Sequence, residues 1–452
     1  MSEVVLPNGW KMSSIGALCY LNNGRAFKPA EWGIQGLPIV RIQNLNKFSA
    51  KFNYYNGDFQ EQYHLKGGEL LFAWSGTPGT SFGAHVWRGG EALLNQHIFR
   101  VDFDVNFFDK RFFRYAINQT LNELIDIAHG GVGLRHVTKG KFEETQIIVP
   151  PLSEQKRIAD KLDVMLVRID TCQMRLSSVQ RILKRFRQSV LTAATSGQLT
   201  PEFRSSNVDV DTEIFPYPLV PFEKLVFSVR GGSNAVPSNE PTDFPILRSS
   251  SVRQGVLNLL DVKFLTSQQS KRDSNFIENE DVLFTRLNGS AEYVGNCAVV
   301  TDVPKNTYQY PDRLFCAKLK ASLEPEYCMY AFSTPSVRLE IERRAKSTAG
   351  HKRISIQDLK EIEIRLPSIA EQQAIVLRVK TLFAFADRLE ARLATACTAV
   401  DRLTPALLAK AFRGELVPQD PADEPASELL ARLTASREAE TAKPRRTRTA
   451  KA

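Results

Sequence analysis

Part of this chain occurs twice. The segment Pro-Leu-Ser-Glu-Gln at 151–155 recurs as Ser-Ile-Ala-Glu-Gln at 368–372, and the same offset aligns Gly197 with Gly414. The match continues without a gap over about 70 positions, and because prolines and glycines coincide as well as apolar residues, chance similarity between two helices does not account for it. We therefore expect the chain to build the same structural unit at two places.

The repeated segment has the pattern of a long helix. Apolar residues alternate at spacings of four and three from 158 to 190 and again from 375 to 407. A seam that continues for more than four heptads is typical of a coiled coil. Small residues of the second seam, Ala386 and Ala396, match larger ones in the first, which favours packing of the two copies on each other. Packing of each helix on a globular neighbour or on a second chain is the alternative.

The ends of both helices are marked by residues that favour turns. The proline pair at 150–151 followed by Ser153 predicts the first start, with Ser153 as the cap. Gly197 and Gly414 predict the two ends. Pro405 lies inside the second copy, and because it lacks an N–H and crowds the preceding turn, we expect a break in the helix close to it.

Each helix follows a block of about 150 residues built from short β-like runs, with one helical stretch at 112–127 in the first block and at 326–344 in the second. We predict an α+β fold with two mixed α/β domains separated by two long antiparallel coiled-coil helices, related by a pseudo-two-fold internal repeat. The predicted divisions are a first domain at 1–150, a first spacer helix at 151–199, a connector at 200–214, a second domain at 215–366, a second spacer helix at 367–417, and a segment at 418–452 that includes a basic disordered tail.

The composition limits the class of partner and the compartment. The formal net charge is +9, a mild basic excess that suits a polyanion such as DNA. The six cysteines are scattered without a CxxC pair, which disfavours a disulfide framework and a zinc site and favours a reducing compartment. No apolar run reaches the ~18–20 residues that a bilayer crossing needs, and the opening MSEVVLPNGW lacks a signal-peptide pattern. We predict a cytoplasmic protein without a membrane partner.

The sequence lacks the motifs of enzymes that act on DNA. The glycine-rich run at 130–133 lacks the frame of a phosphate-binding loop, and the segment at 149–152 lacks both the Asn/Asp and the aromatic residue of an adenine-methylating motif. Asp312 and Lys318 resemble two residues of a metal-dependent nuclease, but Cys316 stands where a carboxylate is expected. We therefore predict no catalytic residue, no bound metal and no enzymatic activity of the chain's own.

Five segments along the chain have distinctive motifs. They are Val149-Pro-Pro-Leu-Ser-Glu-Gln-Lys-Arg-Ile158, Leu366-Pro-Ser-Ile-Ala-Glu-Gln-Gln-Ala-Ile375, Leu6-Pro-Asn-Gly-Trp10, Gly414-Glu-Leu-Val-Pro418 and Asp423-Glu-Pro-Ala-Ser-Glu-Leu-Leu430. These segments resemble those of specificity subunits of type I restriction-modification systems, and the resemblance covers almost the whole chain. It departs from the family pattern at Pro405 and at Tyr217-Pro-Leu-Val-Pro-Phe222, where the second block lacks a Pro-Asn-Gly-Trp motif.

The resemblance implies a DNA sequence-specificity subunit that reads a bipartite, asymmetric site in double-stranded DNA with two target-recognition domains. It also implies that the helices dock two methyltransferase subunits and that restriction/translocase subunits join the larger complex. S-adenosylmethionine, ATP and magnesium are then expected on those partner subunits, and no cofactor on this chain. Since successive major-groove faces recur every ~34–36 Å, a helical spacer of about 50 Å would set the distance between two unlike half-sites.

Residues that contact DNA are predicted only by their type and by their place after predicted strands. Arginine and lysine donate to guanine, asparagine and glutamine pair with adenine, and serine and threonine contact any base. For each candidate, an ordinary solvated or turn residue is the alternative interpretation. The candidates are Arg41, Gln43, Asn44, Asn46, Lys47, Trp74, Ser75, Thr77, Arg135, His136 and Lys139 in the first domain, and Arg248, Ser249, Ser250, Arg253, Arg286, Asn288, Ser290, His351, Lys352 and Arg353 in the second.

Two other classes of function stay open at the level of the sequence. The chain could be a non-enzymatic coiled-coil scaffold for protein partners without sequence-specific DNA contact. A self-contained nuclease or methyltransferase would need a motif that the sequence lacks. The first helix has an excess of cationic residues, for which spacer phosphates, a partner subunit and a solvated face are alternative explanations.

Overall fold

The described chain divides into two compact units. A computed structural model describes residues 6–47, 49–76, 82–126, 135–203, 216–273, 275–348 and 350–441. Unit 1 comprises Met1–Met174 and Thr398–Ala452, and unit 2 comprises Arg175–Cys397.

The elements of unit 1 come from both ends of the chain. Its strands are β1 (Lys11–Ser14), β2 (Tyr20–Asn23), β3 (Leu37–Val40), β4 (Asn53–Tyr55), β5 (His64–Leu65), β6 (Leu70–Ala73), β7 (Ser75–Gly76), β8 (Gly83–Val86), β9 (Ala92–Leu94), β10 (Ile98–Asp102), β11 (Arg135–His136) and β12 (Gln146–Val149). Its helices are α1 (Ile15–Leu18), α2 (Ile42–Asn46), α3 (Lys110–Gln119), α4 (Leu121–Asp126) and α5 (Lys139–Glu144), followed by α6 (Leu152–Ser196), which ends in unit 2.

The elements of unit 2 lie between the two long helices in sequence. Its strands are β13 (Leu219–Pro221), β14 (Val226–Gly231), β15 (Pro245–Leu247), β16 (Val252–Arg253), β17 (Val256–Leu257), β18 (Val262–Phe264), β19 (Val282–Thr285), β20 (Leu287–Asn288), β21 (Cys297–Val299), β22 (Leu314–Leu319), β23 (Lys346–Thr348), β24 (His351–Arg353) and β25 (Glu363–Arg365). Its helices are α7 (Phe222–Leu225), α8 (Ser267–Asp273), α9 (Pro325–Ser333), α10 (Pro335–Arg344) and α11 (Ile356–Lys360), followed by α12 (Ile369–Asp401), and the chain returns to unit 1 for α13 (Leu403–Phe412) and α14 (Ala426–Thr441).

Both units are built around a four-stranded antiparallel sheet with the same pattern of connections. The strand order is β2-β10-β6-β8 in unit 1 and β14-β22-β19-β21 in unit 2. The strands β6 and β19 are buried at every position, which explains their continuous apolar sequences, LLFA and VLFT. Each unit has a further short pair of strands, β1 with β12 and β13 with β25. The second strand of each pair, β12 or β25, comes just before a long helix in the sequence. The repeat in the sequence is thus a repeat of topology.

The long helices run antiparallel in unit 1. Ile158 and Leu162 of α6 are buried in the same apolar cluster as Leu407 of α13. Farther along α6, the Gln173 side chain donates to Asp401 at 3.2 Å. The partner residue number falls as the α6 number rises, as antiparallel packing requires.

The long helices also run antiparallel in unit 2. The Arg187 guanidinium on α6 donates to Glu390 on α12 at 3.1 and 3.0 Å, and it also pairs with Asp387. Beyond the end of α6, the carbonyl of Leu199 accepts a hydrogen bond from Arg378 of α12. Both ion pairs and packing therefore hold α6 against α12 in this unit.

The helix ends differ in part from the sequence-based expectation. Gly197 follows α6 and Gly414 follows α13, with φ of 81° and 74°, as left-handed helix stops require. The prediction of Ser153 as a cap was wrong, because α6 begins one residue earlier and Ser153 is inside its first turn. The expected break falls at Arg402, and Pro405 lies in the first turn of α13, where its missing N–H costs no hydrogen bond.

The two helical stretches predicted inside the blocks are each broken in two. The first divides at Thr120 into α3 and α4, and the second divides at Thr334 into α9 and α10. Pro335 explains the second break, because the residue before a proline is disfavoured in helical geometry. In both units one of the resulting helices packs on the central sheet through buried aromatic residues such as Phe112 and Phe332.

The recurring Glu-Gln pair ties each long helix to the block before it. Gln155 accepts from the N–H of Asp109 at 3.0 Å and donates to the Pro150 carbonyl at 3.0 Å. Gln372 accepts from the N–H of Glu324 at 2.8 Å and donates to the Pro367 carbonyl at 2.9 Å. Both glutamines are fully buried, so their side chains replace hydrogen bonds to water at the two equivalent junctions.

The two glutamates accept hydrogen bonds from different residues. Glu154 accepts from the indole N–H of Trp10 at 2.8 Å. Glu371 accepts from the hydroxyls of Tyr217 and Thr200, each at 2.6 Å. Trp10 ends the Pro-Asn-Gly-Trp motif that the second block lacks, and Tyr217 supplies the donor there. The departure from the motif is thus compensated by a phenol in the place of an indole.

Within the described ranges, no helix has the length and apolar character that a bilayer crossing requires.

Candidate nucleic-acid interface

A two-stranded ribbon carries several of the candidate residues in unit 1. The ribbon consists of β7 and β11, in which Ser75 is opposite His136 and Gly76 is opposite Arg135. Trp74 precedes it, and the Trp74 ring stacks on Phe99 with centroids 5.8 Å apart. Ser75 is buried, and the structure describes only the backbone of Arg135 and His136. Thr77 lies outside the described residues.

An equivalent ribbon carries candidates in unit 2. Its strands β20 and β24 pair with Asn288 opposite Lys352 and Leu287 opposite Arg353, and β23 adds a third strand on the other side of β24. His351 and Arg353 are exposed, and Lys352 is half-buried. The offset that aligns the long helices also aligns Arg135 with Lys352, so the two ribbons are repeat copies that carry different residues.

Some residues around the unit 2 ribbon make hydrogen bonds within the protein. The Arg286 guanidinium donates to the Asp312 carbonyl at 3.1 Å and lies 3.7 Å from the Asp312 carboxylate. The Asn288 side chain accepts from the N–H of Ser290 at 3.2 Å and shapes the turn that follows. Ser290 is exposed. Arg286 is thus held by Asp312, and the oxygen of the Asn288 amide is used within the turn.

A second pair of equivalent turns follows β3 and β15. In unit 1 the N–H of Arg41 donates to the side chain of Asn44 at 3.1 Å, and in unit 2 the N–H of Arg248 donates to the hydroxyl of Ser251 at 2.8 Å. Asn44 also donates to the Ala50 carbonyl and is 1% exposed. The amide of Asn44 therefore closes the turn, and we do not keep it among the base-contact candidates.

The other candidates at these turns are more accessible. Gln43, Asn46 and Lys47 are exposed, while Ser249 and Ser250 are half-buried. The sequence does not show which of Ser249, Ser250 and Ser251 caps the turn. In the structure, the hydroxyl of Ser251 accepts the capping hydrogen bond.

Three arginines of the set lie on aromatic rings, and one of them is Arg286, whose guanidinium lies 5.7 Å from the Phe315 ring. The Arg41 guanidinium lies 5.1 Å from the Trp32 ring, and the Arg253 guanidinium lies 5.2 Å from the Tyr293 ring. Such stacking restricts the motion of the guanidinium plane while leaving its edge able to donate. None of these rings was among the predicted residues, because the sequence pattern does not show which ring a given arginine will contact.

Two further cationic candidates contact the protein directly. The ammonium group of Lys139 donates to the Leu21 carbonyl at 3.1 Å and lies 3.7 Å from Glu143. Arg248 lies 3.5 Å from Asp261. Both side chains are more than half exposed, so water screens these ion pairs and each cation can exchange its partner.

Asp312 and Lys318, which the sequence suggested as nuclease-like, have separate partners. Lys318 pairs with Glu278 at 2.5 Å and Asp281 at 3.2 Å, whereas Asp312 pairs with Arg286, so the nuclease-like pair is not assembled. Burial raises the pKa of the Cys297 thiol to about 12, so this thiol stays protonated and is a poor nucleophile. Among the described side chains, no group of three or more His, Cys, Asp or Glu is arranged to hold a metal ion.

Comparison with known proteins identifies the family. A family model described as the type I restriction modification DNA specificity domain matches residues 7–180 and 230–396. The chain belongs to this type I specificity family. The two matches confirm that this family member contains two copies of one domain type in an α+β fold, and each match contains one of the two ribbons.

Curated relatives support the same family along the whole chain. The type I restriction enzyme EcoKI specificity subunit of Escherichia coli K12 is 32% identical over 465 residues, which cover 97% of this chain and 98% of the relative. The EcoBI specificity subunit of Escherichia coli is 30% identical and covers 96% of this chain and 94% of the relative.

Solved structures support the fold. The HsdS subunit from Thermoanaerobacter tengcongensis aligns with a TM-score of 0.56 and 18% identity, over 92% of this chain and 99% of that chain. A chain from a structure concerned with complex assembly and conformational transition of the type I R-M system aligns with a TM-score of 0.63 and 16% identity, over 91% of this chain and 100% of that chain. At these low sequence identities, the structural similarity supports the fold of this family member and nothing about its activity.

Proposed function

We propose that the chain is the DNA sequence-specificity subunit of a type I restriction-modification complex and reads a bipartite, asymmetric site with two recognition domains. The observation that carries the proposal is the pair of equivalent ribbons with different residues. Where unit 1 has Gly76 opposite Arg135, unit 2 has Asn288 opposite Lys352. A repeated backbone with unlike side chains is what two readers of unlike half-sites require.

The chemistry of the two clusters fits base edges. Lysine and arginine donate to the O6 and N7 acceptors of guanine, and an asparagine amide matches the donor and acceptor of adenine. Exposed cations also attract phosphates without regard to sequence, so the clusters supply affinity as well as discrimination. We propose that the accessible members of the predicted set contact the bases. Asn44 is not among them, and Arg286 is proposed to support the ribbon through Asp312 rather than to contact a base.

The domain divisions and the spacer belong to the same proposal. We assign target recognition to residues 1–150 and 215–366, and spacing to the helices within 151–199 and 367–417. The antiparallel ion pairs of Arg187 in unit 2 and the α6–α13 packing in unit 1 support a stiff helical pair. A stiff pair would fix the number of base pairs between the half-sites.

The partners follow from the family rather than from any site on this chain. We propose that two methyltransferase subunits dock on the helices, that restriction/translocase subunits complete the complex, and that S-adenosylmethionine, ATP and magnesium are bound by those partners. The chain itself would supply recognition without catalysis. The family membership disfavours the alternative of a protein scaffold without DNA specificity.

Mapping of methylated adenines tests the proposal. Cells that carry the methyltransferase subunits, with and without this chain, are compared by single-molecule sequencing of their DNA. We expect methylation at one bipartite motif only when the chain is present. In the same assay, Arg353→Ala should change one half of the motif or weaken methylation there, whereas Lys305→Ala, an exposed cation of unit 2 outside both clusters, should change nothing.

Two outcomes would count against the proposal. Methylation that is independent of the chain would remove the specificity role and revive the scaffold alternative. A change in both half-motifs after exchange of residues 1–150 for the equivalent block of another family member would refute modular reading. The spacer is tested separately, because removal of one heptad from each helix should shorten the gap between half-motifs while leaving their bases unchanged.

A further inference from the structure

Arg253 is an exposed residue at a tight hairpin of unit 2. It pairs with Val256 across the hairpin of β16 and β17, and the connecting residues are Gln254 and Gly255, the latter with φ of 75°. One guanidinium nitrogen donates to the Val252 carbonyl at 3.1 Å. Because a guanidinium has five N–H donors, this single bond leaves an edge that can bind an outside acceptor.

The backbone of this hairpin is attached to the core of unit 2. Gln254 donates to the hydroxyl of Ser333 at the end of α9 and lies 3.5 Å from the sulfur of Cys297. The N–H of Gly255 donates to the Cys297 carbonyl at 2.8 Å. Cys297 is fully buried, so the base of the Arg253 side chain is attached to rigid structure.

The backbone around Tyr293, whose ring lies beneath Arg253, is held by a second arginine. Tyr293 lies in the short 3-10 turn Ala291–Tyr293, and Arg338 of α10 donates to the carbonyls on both sides of Tyr293, to Glu292 at 2.9 Å and to Val294 at 2.8 Å. Burial lowers the pKa of the Arg338 guanidinium from its ordinary value. Because a buried cation needs hydrogen-bond partners in place of water, Arg338 stabilises the two carbonyls in the positions in which they accept from it.

The turn and α10 also approach each other too closely for any other residue at 295. Gly295 has φ of 70°, and a Cβ built there would lie 2.7 Å from the Ile341 side chain on α10. Real Cβ atoms do not approach side chains so closely, so the turn is pressed onto the helix. The backbone from which the Tyr293 ring projects beneath Arg253 is therefore attached firmly to α10.

We propose that Arg253 is a specificity-determining residue that reads a guanine in the second half-site, and that Tyr293 and Arg338 are positioning residues that orient its guanidinium. This inference rests on the proposed function. Bidentate donation to guanine O6 and N7 needs the guanidinium plane in one orientation, and an arginine that is already stacked loses less freedom on binding. Neither Tyr293 nor Arg338 would touch DNA for this role.

The test uses the full complex of this chain with its methyltransferase subunits. Methylation rates are measured on the cognate site and on sites in which each base pair of the second half-site is replaced in turn. Arg253→Ala should reduce discrimination at one G·C pair by about 5- to 160-fold and leave the first half-site unchanged. Tyr293→Leu and Arg338→Met should relax the same pair to a smaller extent, and neither should relax it further when combined with Arg253→Ala.

The matched control is Arg343→Met, which removes an exposed arginine from the same helix as Arg338. A uniform loss of methylation in Arg338→Met, with discrimination intact, would show a purely structural role and overturn the positioning claim. If that variant does not fold, Tyr293→Leu answers the same question. Unchanged discrimination in Arg253→Ala would overturn the reading claim. Failure of the proposed function itself is distinguishable, because the unmodified chain would then direct no site-specific methylation.

Discussion

The junction glutamine of unit 2 gives a sharp test of how the long helix is attached to its block. Gln372 is fully buried and makes three hydrogen bonds, from the N–H of Glu324 at 2.8 Å and to the carbonyls of Pro367 at 2.9 Å and Ser322 at 3.0 Å. Gln372→Leu keeps the approximate volume but removes all three. At about 1 kcal/mol for each bond, and with partners left buried, we expect unit 2 to lose about 3 kcal/mol of unfolding free energy.

The neighbouring glutamine is a matched control. Gln373 is on the same helix but is exposed, so Gln373→Leu should change the unfolding free energy by no more than about 0.5 kcal/mol. With an m-value of about 2–3 kcal/mol/M for a unit of this size, Gln372→Leu should lower the urea midpoint of unit 2 by about 1 M.

The chain itself separates the two units spectroscopically. All four tryptophans, Trp10, Trp32, Trp74 and Trp87, lie in unit 1, so tryptophan emission follows unit 1 while far-ultraviolet circular dichroism follows both units. Gln372→Leu should shift the circular dichroism transition and shift the emission transition less. Equal shifts for the variants at 372 and 373 would refute the reasoning, since burial and hydrogen bonding are the only differences on which it depends.

Three further predictions concern the helices and their ends. Arg187→Met should lower the unfolding free energy of unit 2 by about 1 kcal/mol, measured by urea titration. The loss should be smaller at high salt, because the carboxylate partners of Arg187 on α12 are partly exposed. Arg181→Met should have little effect in the same titration. Burial raises the pKa of Glu154 above its ordinary value of 4.5, so the folded state favours the protonated carboxyl and Glu154 contributes less to stability as the pH rises past 4.5. The unfolding free energy of Glu154→Gln, relative to that of the unmodified chain, should therefore increase between about pH 4 and 7. A difference that does not change with pH would contradict this. Gly414→Ala should destabilise unit 1 by more than about 1 kcal/mol, since φ is 74° and a Cβ would meet Pro7 at 2.6 Å, whereas Gly140→Ala in α5 should be neutral or stabilising; tryptophan emission in urea measures both.

The repeat and the helix stops were predictable because they depend on local physics. A heptad seam and a glycine that must adopt positive φ leave their mark at fixed spacings in the sequence. The order of the strands in the two central sheets was not predictable in this way, since pairing joins segments that lie far apart. The break at Thr334 had a local signal in Pro335, which the continuous apolar pattern concealed.

The candidate site shows the same division. Residue type and position after strands and turns selected residues that lie on both ribbons, although the sequence did not show that these residues form strands. The rings of Trp32 and Tyr293 were not visible, because each depends on a tertiary contact. The capping role of Asn44 is local, since its partner Arg41 is three residues away, but residue type alone does not separate a cap from an outward-facing amide. Sequence reasoning thus nominated residues that lie close together, which remain predicted DNA contacts, but it could not separate a residue that closes a turn from one that faces outward.

The structure also explains how one backbone can carry two different readers. The ribbon and its neighbouring turn are held by main-chain pairing and by short side-chain caps, and a cap needs only an acceptor, whether the amide of Asn44 or the hydroxyl of Ser251. Main-chain hydrogen bonds form with almost any side chain, and a cross-strand side-chain pair adds only about 0.2–1 kcal/mol. Under the proposed function, substitutions at the outward positions would alter base preference with little loss of stability, whereas substitutions at Gln155 or Gln372 would lower stability without altering the motif.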